Sequence, residues 1–282
     1  MVVLLSQRSL ACYGIIIGIK RLYLTRKKSM DSSTLRDLSI VIPAYKEAER
    51  IGFTLDQLAD FLTTSHKLKS LSIEVIVVAA DAGDGTDKIA LDKKDKFKHF
   101  MLLRPGPKVG KGRDVKVGML KATGKYILFM DADLATPLHH IETFYDEISS
   151  GNDIVIASRG VEKHSTNLLR ISVTAIGNLL YRLLGGLWID DSQCGFKIFT
   201  KEATQLCFSM LQINGWGFDM EILTIANENK LTIKTIHIND WTPIPNGTFE
   251  NAIIKNSLVS LKDLFIIFFR RVSDKYKIKS KN

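Results

Sequence analysis

Apolar runs alternate with amphipathic stretches from residue 38 onward, and this alternation predicts the order of strands and helices. Five runs have the length and composition of buried strands: Leu38–Ile42, Ile73–Val78, Lys98–Leu103, Tyr126–Met130 and Asp153–Ala157. Apolar residues at helical spacing predict helices over Glu47–Leu62 and Arg113–Ala122, the second closed by Gly124. Strands that alternate with helices favour an α/β fold, with a mostly parallel sheet and helices on both faces.

The two ends of the chain differ from this middle part in charge. Residues 1–37 carry seven basic and two acidic side chains, and residues 270–282 carry six basic and one acidic, so the ends account for the net charge of +9. A nucleic-acid-binding protein would carry its basic residues as a stripe on the folded body. The distribution therefore disfavours nucleic acid as a partner and favours an anionic membrane surface. We expect a membrane-associated segment at 1–37, a globular domain at 38–250 and an amphipathic, basic interfacial segment at 251–282.

Each terminal segment leaves alternatives open. The apolar run Leu10–Ile19 is shorter than the ~20 residues that span a bilayer. It could be a short anchor, an interfacial helix or a signal peptide, although no small-residue cleavage site follows it, and Met30 could be the true start. Near the other end, an apolar helical face followed by Arg270-Arg271 predicts a helix that lies in the membrane interface or packs on the domain. That face consists of Leu258, Leu261, Phe265, Phe268 and Phe269.

Cysteines and histidines give little indication of a metal centre. The three cysteines, Cys12, Cys194 and Cys207, are too few and too scattered for a disulfide framework or a zinc site. His139 and His140 are adjacent, so we do not expect them to share a helix face or to form a metal-binding pair.

The strongest candidate chemistry follows the run Tyr126–Met130. Asp131 and Asp133 stand one residue apart after it, and residues i and i+2 of an extended segment point to the same side. In an α/β sheet, ligands bind at that end of the strands. Two convergent carboxylates there suit a hard divalent cation, Mg²⁺ or Mn²⁺, which usually accompanies a phosphate.

Two further loops at predicted strand ends are rich in glycine. Asp81 and Asp84 lie in the loop after the second strand. Lys111 lies between two glycines at a helix start, where backbone N–H groups and an ammonium can meet phosphate. The spacing does not match a P-loop, and no dinucleotide-binding fingerprint follows the first strand.

The order of these features resembles one family. The first strand continues into Pro43–Glu47 (PAYKE), and beyond the Asp-x-Asp pair come Asp191–Phe199 (DSQCGFKIF), Gly217–Leu223 (GFDMEIL) and Trp241. The chain resembles, over Leu38–Phe269, the inverting family 2 glycosyltransferases of GT-A fold, and within them most of all the enzymes that place glucose on dolichyl phosphate. The resemblance implies a GT-A, Rossmann-like domain and a membrane location. The catalytic domain would face the cytosol, at the endoplasmic reticulum in a eukaryote or the inner membrane in a prokaryote.

The resemblance also implies a reaction and residue roles. Glucose would pass from UDP-glucose, with inversion, to a polyprenyl or dolichyl monophosphate. Asp133, assisted by Asp131, would hold Mg²⁺ or Mn²⁺. Arg159 and Arg170, with Lys197 as a further candidate, would bind the acceptor phosphate, and Asp191 would shape that side. The nucleotide sugar would contact Pro43, Tyr45, Glu47, Asp81, Asp84, Lys111 and Asp131.

Two departures from the family pattern leave the donor open. Ala79 and Ala80 stand where the family usually carries an Asp pair that reads the base. Ala135 stands where the mannose synthases carry a glutamine, which favours the glucosyl enzymes. The alternatives are an enzyme that uses another nucleotide sugar such as GDP-mannose, one that acts on a soluble acceptor, and a catalytically dead nucleotide-sugar binder at the membrane.

Overall fold

The computed structural model describes residues 36–159, 179–189, 191–242 and 253–278, with side chains from residue 261 in the last range. One compact unit spans Arg36–Tyr276. Its strands are β1 (Arg36–Ala44), β2 (Ile73–Ala79), β3 (Phe100–Leu103), β4 (Gly124–Met130), β5 (Ile154–Ser158), β6 (Phe196–Thr200) and β7 (Ile233–His237). Its helices are α1 (Ile51–Thr64), α2 (Thr86–Asp92), α3 (Lys111–Lys121), α4 (His140–Ser149), α5 (Lys201–Met210), α6 (Phe218–Glu228) and α7 (Ile253–Val272). Residues 179–185 are also helical, and short 3-10 turns lie at Leu68–Ser70 and Lys94–Lys96.

The strands form one sheet in the order β3-β2-β1-β4-β6-β5-β7. β1 pairs in parallel with β2 and β4, β2 with β3, and β5 with β7. β6 lies antiparallel between β4 and β5. The prediction of a mostly parallel sheet is therefore confirmed, and the sequence pattern missed β6 and β7.

The structure extends β1 through Pro43 to Ala44, beyond the predicted run Leu38–Ile42. Pairing of β1 with β4 stops at Val41 opposite Phe129, whereas pairing with β2 continues through Pro43 to Ala44. A proline is tolerated where its missing N–H has no strand partner. Beyond it, Lys46 adopts a φ of 60°, and the turn that follows delays the start of α1 to Ile51.

Two hydrophobic cores cover the two faces of the sheet. In β1, Val41 packs in the core formed with α3, α5, α6 and α7, whereas Ile40 and Ile42 pack in the core formed with α1, α2 and α4. This alternation follows from the period of two in an extended strand. The prediction of helices on both faces is confirmed.

Helix α7 has a buried face and an exposed face. Leu264 and Ile267 are buried in the core beneath α6. Phe265, Phe269 and Val272 are exposed by 47%, 62% and 58%. The compact unit therefore continues beyond residue 250, and α7 packs on the domain while it presents a second apolar face outward. Among the described residues, no helix combines the length and the apolar character needed to cross a bilayer.

Candidate active site

The carboxyl ends of β1, β2, β4 and β5 meet along one edge of the sheet and carry most of the predicted site residues. The strand order reverses between β1 and β4, which creates a crevice at this edge. Glu47 follows β1, Asp81 follows β2, Asp131 and Asp133 follow β4, and Arg159 follows β5.

Asp131 is held by contacts from two other elements. Its Oδ1 lies 2.6 Å from Nζ of Lys111, the first residue of α3. The Lys111 ammonium also lies 5.2 Å from the centre of the Trp216 ring. Burial by itself would lower the pKa of Lys111, but the charges of Asp131 and Asp219 raise it above its usual value. The ammonium is thus charged at neutral pH and stands beside the first carboxylate of the pair.

Asp133 occupies a tight turn directly after the strand. Its Oδ1 accepts a hydrogen bond of 3.0 Å from the backbone N–H of Ala135, and Leu134 between them has a φ of 56°. Burial, and next the nearby Asp131, raise the pKa of Asp133. Burial also raises the pKa of Glu47, against the opposing effect of Arg50. The crevice therefore holds the carboxyl groups of Asp131, Asp133 and Glu47. Because the pKa values of Asp133 and Glu47 are raised, these two groups take up a proton more readily than they would in water.

The position of Gly195 against Asp131 accounts for the glycine in the DSQCGFKIF motif. Its carbonyl accepts a hydrogen bond of 3.0 Å from the backbone N–H of Asp131. A Cβ added to Gly195 would lie 2.0 Å from Asp131 Oδ2, so only glycine leaves room for that carboxylate.

We therefore expect Gly195→Ala to displace the Asp131 side chain and to lower transferase activity at least about tenfold, since small displacements of a charged group at a reacting centre have large effects. The measurement is the initial rate of sugar transfer beside the melting temperature. Gly215→Ala is the matched control, because a Cβ there would meet no atom closer than 3.9 Å. Equal activity of the two variants would contradict this account of Gly195.

Lys197 lies inside the protein and does not face a ligand. Its side chain is 0% exposed, and Nζ donates to Asp219 Oδ1 at 2.6 Å and to the Cys194 carbonyl at 2.5 Å. The sequence had suggested direct contact between Lys197 and the acceptor phosphate. The structure corrects this, because the Lys197 side chain leaves β6 toward the protein interior. Its ammonium lies there 5.2 Å from the centre of the Phe129 ring. Lys197 instead joins the DSQCGFKIF and GFDMEIL motifs.

Arg159 and Asp191 form a two-point ion pair. Nε of Arg159 donates to Oδ2 of Asp191 at 2.8 Å, and Nη2 donates to Oδ1 at 2.9 Å. The Arg159 guanidinium also lies 5.4 Å from the centre of the Trp241 ring. Burial would raise the pKa of Asp191, but its hydrogen bonds to Arg159 outweigh that effect and lower it. Two nitrogens of the Arg159 guanidinium, which the sequence had assigned to the acceptor phosphate, thus donate to Asp191. Arg170, the other predicted phosphate-binding arginine, lies outside the described residues.

Three of the predicted nucleotide-contacting residues, Tyr45, Asp81 and Asp84, lie in the loops that follow β1 and β2. Nζ of Lys108 lies 4.5 Å from the centre of the Tyr45 ring. Asp81 is exposed and forms an isolated bridge with Pro107, next to Lys108. Asp84 has a structural contact, since its carboxylate accepts hydrogen bonds from the hydroxyl and backbone N–H of Thr86, which lower its pKa against the opposing effect of burial. Pro43 is half-buried near the end of β1 and lies opposite Val78 of β2.

Sequence reasoning assigned no role to three residues that contact the site or its motifs, namely Trp216, Lys108 and Asp263. Trp216 and Lys108 place aromatic and cationic surface beside predicted residues, but isolated residues of these types give no signal in a single sequence. Asp263 in α7 accepts from the backbone N–H of Gly217 at 3.2 Å, where a Cβ would collide with its carboxylate. This contact ties the GFDMEIL motif to the C-terminal helix.

The residues at the crevice fit a divalent cation. Asp131 and Asp133 supply hard oxygen ligands on neighbouring positions, which suit Mg²⁺ or Mn²⁺. Their mutual repulsion contributes to the raised pKa of Asp133, and a bound cation would relieve that repulsion.

The fold has counterparts among solved structures. Glucosyl-3-phosphoglycerate synthase from Mycobacterium tuberculosis, solved in complex with Mn²⁺, UDP and glucosyl-3-phosphoglycerate, is 18% identical, with a TM-score of 0.63 over 83% of this chain and 80% of that one. The mannosyltransferase PcManGT from Pyrobaculum calidifontis, in complex with GDP-Man and Mn²⁺, is 14% identical, with a TM-score of 0.54 over 96% and 76%. These similarities establish the fold, which is a GT-A-like α/β domain.

The sequence comparisons identify the family. Residues 39–207 match the model of Glycosyl transferase family 2, and the chain belongs to that family. The dolichyl-phosphate beta-glucosyltransferase of Dictyostelium discoideum is 33% identical over 86% of this chain and 77% of its own length. The human enzyme of the same name is 33% identical over 77% and 70%, and ALG5A of Trichomonas vaginalis is 32% identical over 83% and 74%. The chain is therefore a glycosyltransferase.

Proposed function

We propose that this glycosyltransferase moves glucose from UDP-glucose, with inversion, onto dolichyl or another polyprenyl monophosphate at a membrane surface. The observation that carries the proposal is the single crevice in which Asp131, Asp133, Lys111 and Arg159 gather. This crevice combines a site for a cation-bound diphosphate with a cationic group for a second phosphate. The relatives named dolichyl-phosphate beta-glucosyltransferase supply the choice of sugar and acceptor.

On the donor side, Asp133 and Asp131 would hold Mg²⁺ or Mn²⁺, which supplies charge neutralisation for a leaving diphosphate. Lys111 places a second positive charge beside Asp131, where it can contact a diphosphate oxygen. Tyr45, Lys108 and Asp81 offer an aromatic face, a cation and a hydrogen-bond acceptor for the nucleoside end. In this arrangement Asp81, which directly follows Ala79 and Ala80, would supply the carboxylate for the base in place of the usual Asp pair.

On the acceptor side, the nucleophile is a phosphate monoester with a second pKa near ~6. It is mostly ionised at neutral pH, so the protein needs to orient it more than to remove a proton. Asp191 holds Nε and Nη2 of Arg159 and so orients the guanidinium, whose Nη1 is not used in this ion pair and would bind the acceptor phosphate. An oxygen held there would attack the sugar from the face opposite the diphosphate, which inverts the anomeric configuration.

We expect Arg159→Lys to raise the KM for dolichyl phosphate about tenfold or more and to leave the affinity for UDP-glucose nearly unchanged. Lysine keeps the charge but cannot hold Asp191 with two parallel hydrogen bonds. Steady-state kinetics in both substrates, with calorimetry for the donor, separates the two effects. Asp191→Asn should change the same acceptor parameter, since it loosens the same guanidinium. Loss of donor binding by Arg159→Lys, with acceptor kinetics intact, would contradict the division into donor and acceptor sides.

The outward face of α7 is the described surface best suited to a lipid bilayer. Phe265, Phe269 and Val272 are exposed on it, whereas Arg270 and Arg271 of its last turn are partly buried beside Glu221 and Glu228 of α6. An exposed apolar helical face of this kind is typical of helices that lie in the membrane interface. We propose that this face and residues 1–37 attach the enzyme to the membrane. The active site would then open on the cytosolic side of the endoplasmic reticulum in a eukaryote, or of the inner membrane in a prokaryote.

We expect the double variant Phe265→Ser/Phe269→Ser to bind vesicles of phosphatidylcholine and phosphatidylserine at least about tenfold more weakly, because each ring loses burial worth ~1.5 kcal/mol or more. Both rings are exposed, so the melting temperature should stay near the wild-type value. Removal of the whole helix is a poor test, since Leu264 and Ile267 belong to the core. Phe53→Ser on α1, where the ring is 64% exposed, is the matched control. Unchanged co-sedimentation of the double variant would assign membrane binding elsewhere.

The proposed reaction is tested by incubation of the purified enzyme with labelled UDP-glucose, dolichyl phosphate and Mg²⁺ or Mn²⁺. The expected product is a β-linked lipid-phosphate glucose, identified by mass spectrometry and by the anomeric coupling constant. GDP-mannose, UDP-N-acetylglucosamine and a soluble phosphate acceptor run in parallel. Turnover of only one of these would overturn the donor or the acceptor proposed, and nucleotide-sugar binding without any turnover would indicate a non-catalytic binder.

A further inference from the structure

His139, His140 and Asp240 meet outside the crevice. Nε2 of His140 lies 2.7 Å from Oδ1 of Asp240, and Nε2 of His139 lies 3.2 Å from Oδ2. The centres of the two imidazole rings are 4.2 Å apart. His139 and His140 were not expected to form a metal-binding pair, yet the structure brings both rings to one carboxylate. His139 precedes α4 and His140 begins it, and a carboxylate from a distant segment draws both rings to one point.

The separation of these atoms suits one small metal ion. Each residue offers one ligand atom, and the three ligand atoms all lie within 4.8 Å of one another. Two ligands at ~2.0–2.1 Å from a tetrahedral ion are about 3.3 Å apart. The distance from His139 to Asp240 is already 3.2 Å, and the 2.7 Å distance from His140 would have to lengthen. Each imidazole contacts a different oxygen of the same carboxylate, so an ion between them needs only small side-chain movements.

The ligand types distinguish this cluster from the pair in the crevice. Two imidazoles and one carboxylate favour Zn²⁺ and related transition-metal ions, whereas carboxylates alone suit Mg²⁺ and Mn²⁺. The hydrogen bond from His140 is the main cause that lowers the pKa of Asp240, so the carboxylate is ionised at neutral pH. His139 and Asp240 are about half exposed, which leaves a fourth position open to water.

The cluster joins two segments that border the crevice. The loop that carries Asp133 continues directly into His139 and α4. On the other side, Trp241 follows Asp240 and lies against the Arg159 guanidinium, and the backbone N–H of Thr242 donates to the Ala135 carbonyl at 3.0 Å. An ion at the cluster would therefore fasten segment 240–242 to the start of α4, beside the residues that hold Arg159.

We propose that His139, His140 and Asp240 form a second metal site, selective for Zn²⁺-class ions, that clamps segment 240–242 against α4. This site is separate from the ion proposed at Asp131 and Asp133, and it requires no catalytic activity for its detection.

The test is a titration of the full-length, untagged protein with Co²⁺ in place of Zn²⁺. We expect a visible absorption band of a tetrahedral or five-coordinate nitrogen–oxygen site, displaced by one equivalent of Zn²⁺ and not by excess Mg²⁺. Asp133→Asn should leave this band intact. His140→Gln and Asp240→Asn should each weaken Co²⁺ binding at least about tenfold. His66→Gln removes another exposed histidine and serves as the matched control.

A second measurement tests the clamp itself. Hydrogen exchange of segment 238–242 should slow on addition of Zn²⁺ in the wild type and in Asp133→Asn, and should not change in Asp240→Asn. The side chains of His139 and Asp240 are half-exposed, so His139→Gln and Asp240→Asn should fold even if His140→Gln does not. Absence of the Co²⁺ band, or a band that survives Asp240→Asn or disappears with Asp133→Asn, would overturn the proposal and leave the cluster as an ion pair.

Discussion

Asp133→Asn is expected to lower sugar transfer by a factor on the order of 10² to 10³ while the fold survives, since removal of one preorganised charged group commonly has an effect of this size. Asparagine keeps an Oδ1 that can accept from the Ala135 N–H, so the turn after β4 should persist. What it loses is the negative charge that, in the proposed reaction, would hold a divalent cation at the leaving diphosphate. Initial rates measured across a range of Mn²⁺ and Mg²⁺ concentrations, together with thermal denaturation, check both parts of the prediction.

A comparison with two further variants sharpens this result. Asp131→Asn should also be severe, and it removes the ion pair with Lys111 as well, so its donor binding should differ from that of Asp133→Asn. Asp60→Asn on the exposed surface of α1 should retain wild-type activity. If Asp133→Asn turned over at the wild-type rate in excess EDTA, the proposed metal role would be wrong.

The second large effect concerns stability and the buried pair of Lys197 and Asp219. Lys197→Met should lower the free energy of unfolding by about 3–5 kcal/mol, because it leaves an unpaired carboxylate in the interior. The two side chains are 0% and 4% exposed, so water cannot replace the lost ammonium in the folded state. Urea denaturation monitored by circular dichroism measures the difference.

Two matched variants identify the cause. Lys197→Met/Asp219→Leu removes both charges and should recover most of the lost stability, since an apolar pair of similar volume often replaces a buried ion pair without loss. Lys67→Met breaks an exposed pair with Asp146 and should change stability by less than ~1 kcal/mol. If Lys197→Met destabilised the protein no more than Lys67→Met, the interior pair would not be a major stabilising contact.

The crevice itself could be predicted from the sequence to a large extent. Alternating apolar runs located five strands, and polar groups directly after them had to meet at one edge because parallel strands end together. Asp131 and Asp133 were placed at that edge for this reason, and both follow β4 directly in the structure. The order of the motifs was enough to indicate family 2, which the family match confirms.

The partners of individual side chains could not be predicted in this way. Lys197 looks like any cation in a motif, yet β6 inserts antiparallel between β4 and β5 and turns it inward against Asp219. The sequence predicted that the Arg159 guanidinium binds a phosphate. In the structure, two of its nitrogens donate to Asp191, which lies 32 positions away along the chain. Neither contact leaves a periodic trace in the chain.

The sequence by itself determined the class of fold, the sheet edge at which the candidate site lies and the carboxylate pair there, because these depend on local periodicity and on strand direction. The tertiary structure decided which charges are buried, which face of α7 is exposed and which residues meet from distant segments. Helix α7 shows the difference, since its spacing predicts an apolar face while only packing distinguishes Leu264 in the core from Phe265 at the surface. His139, His140 and Asp240 show it again, because long-range packing brings them together after a separation of 100 residues.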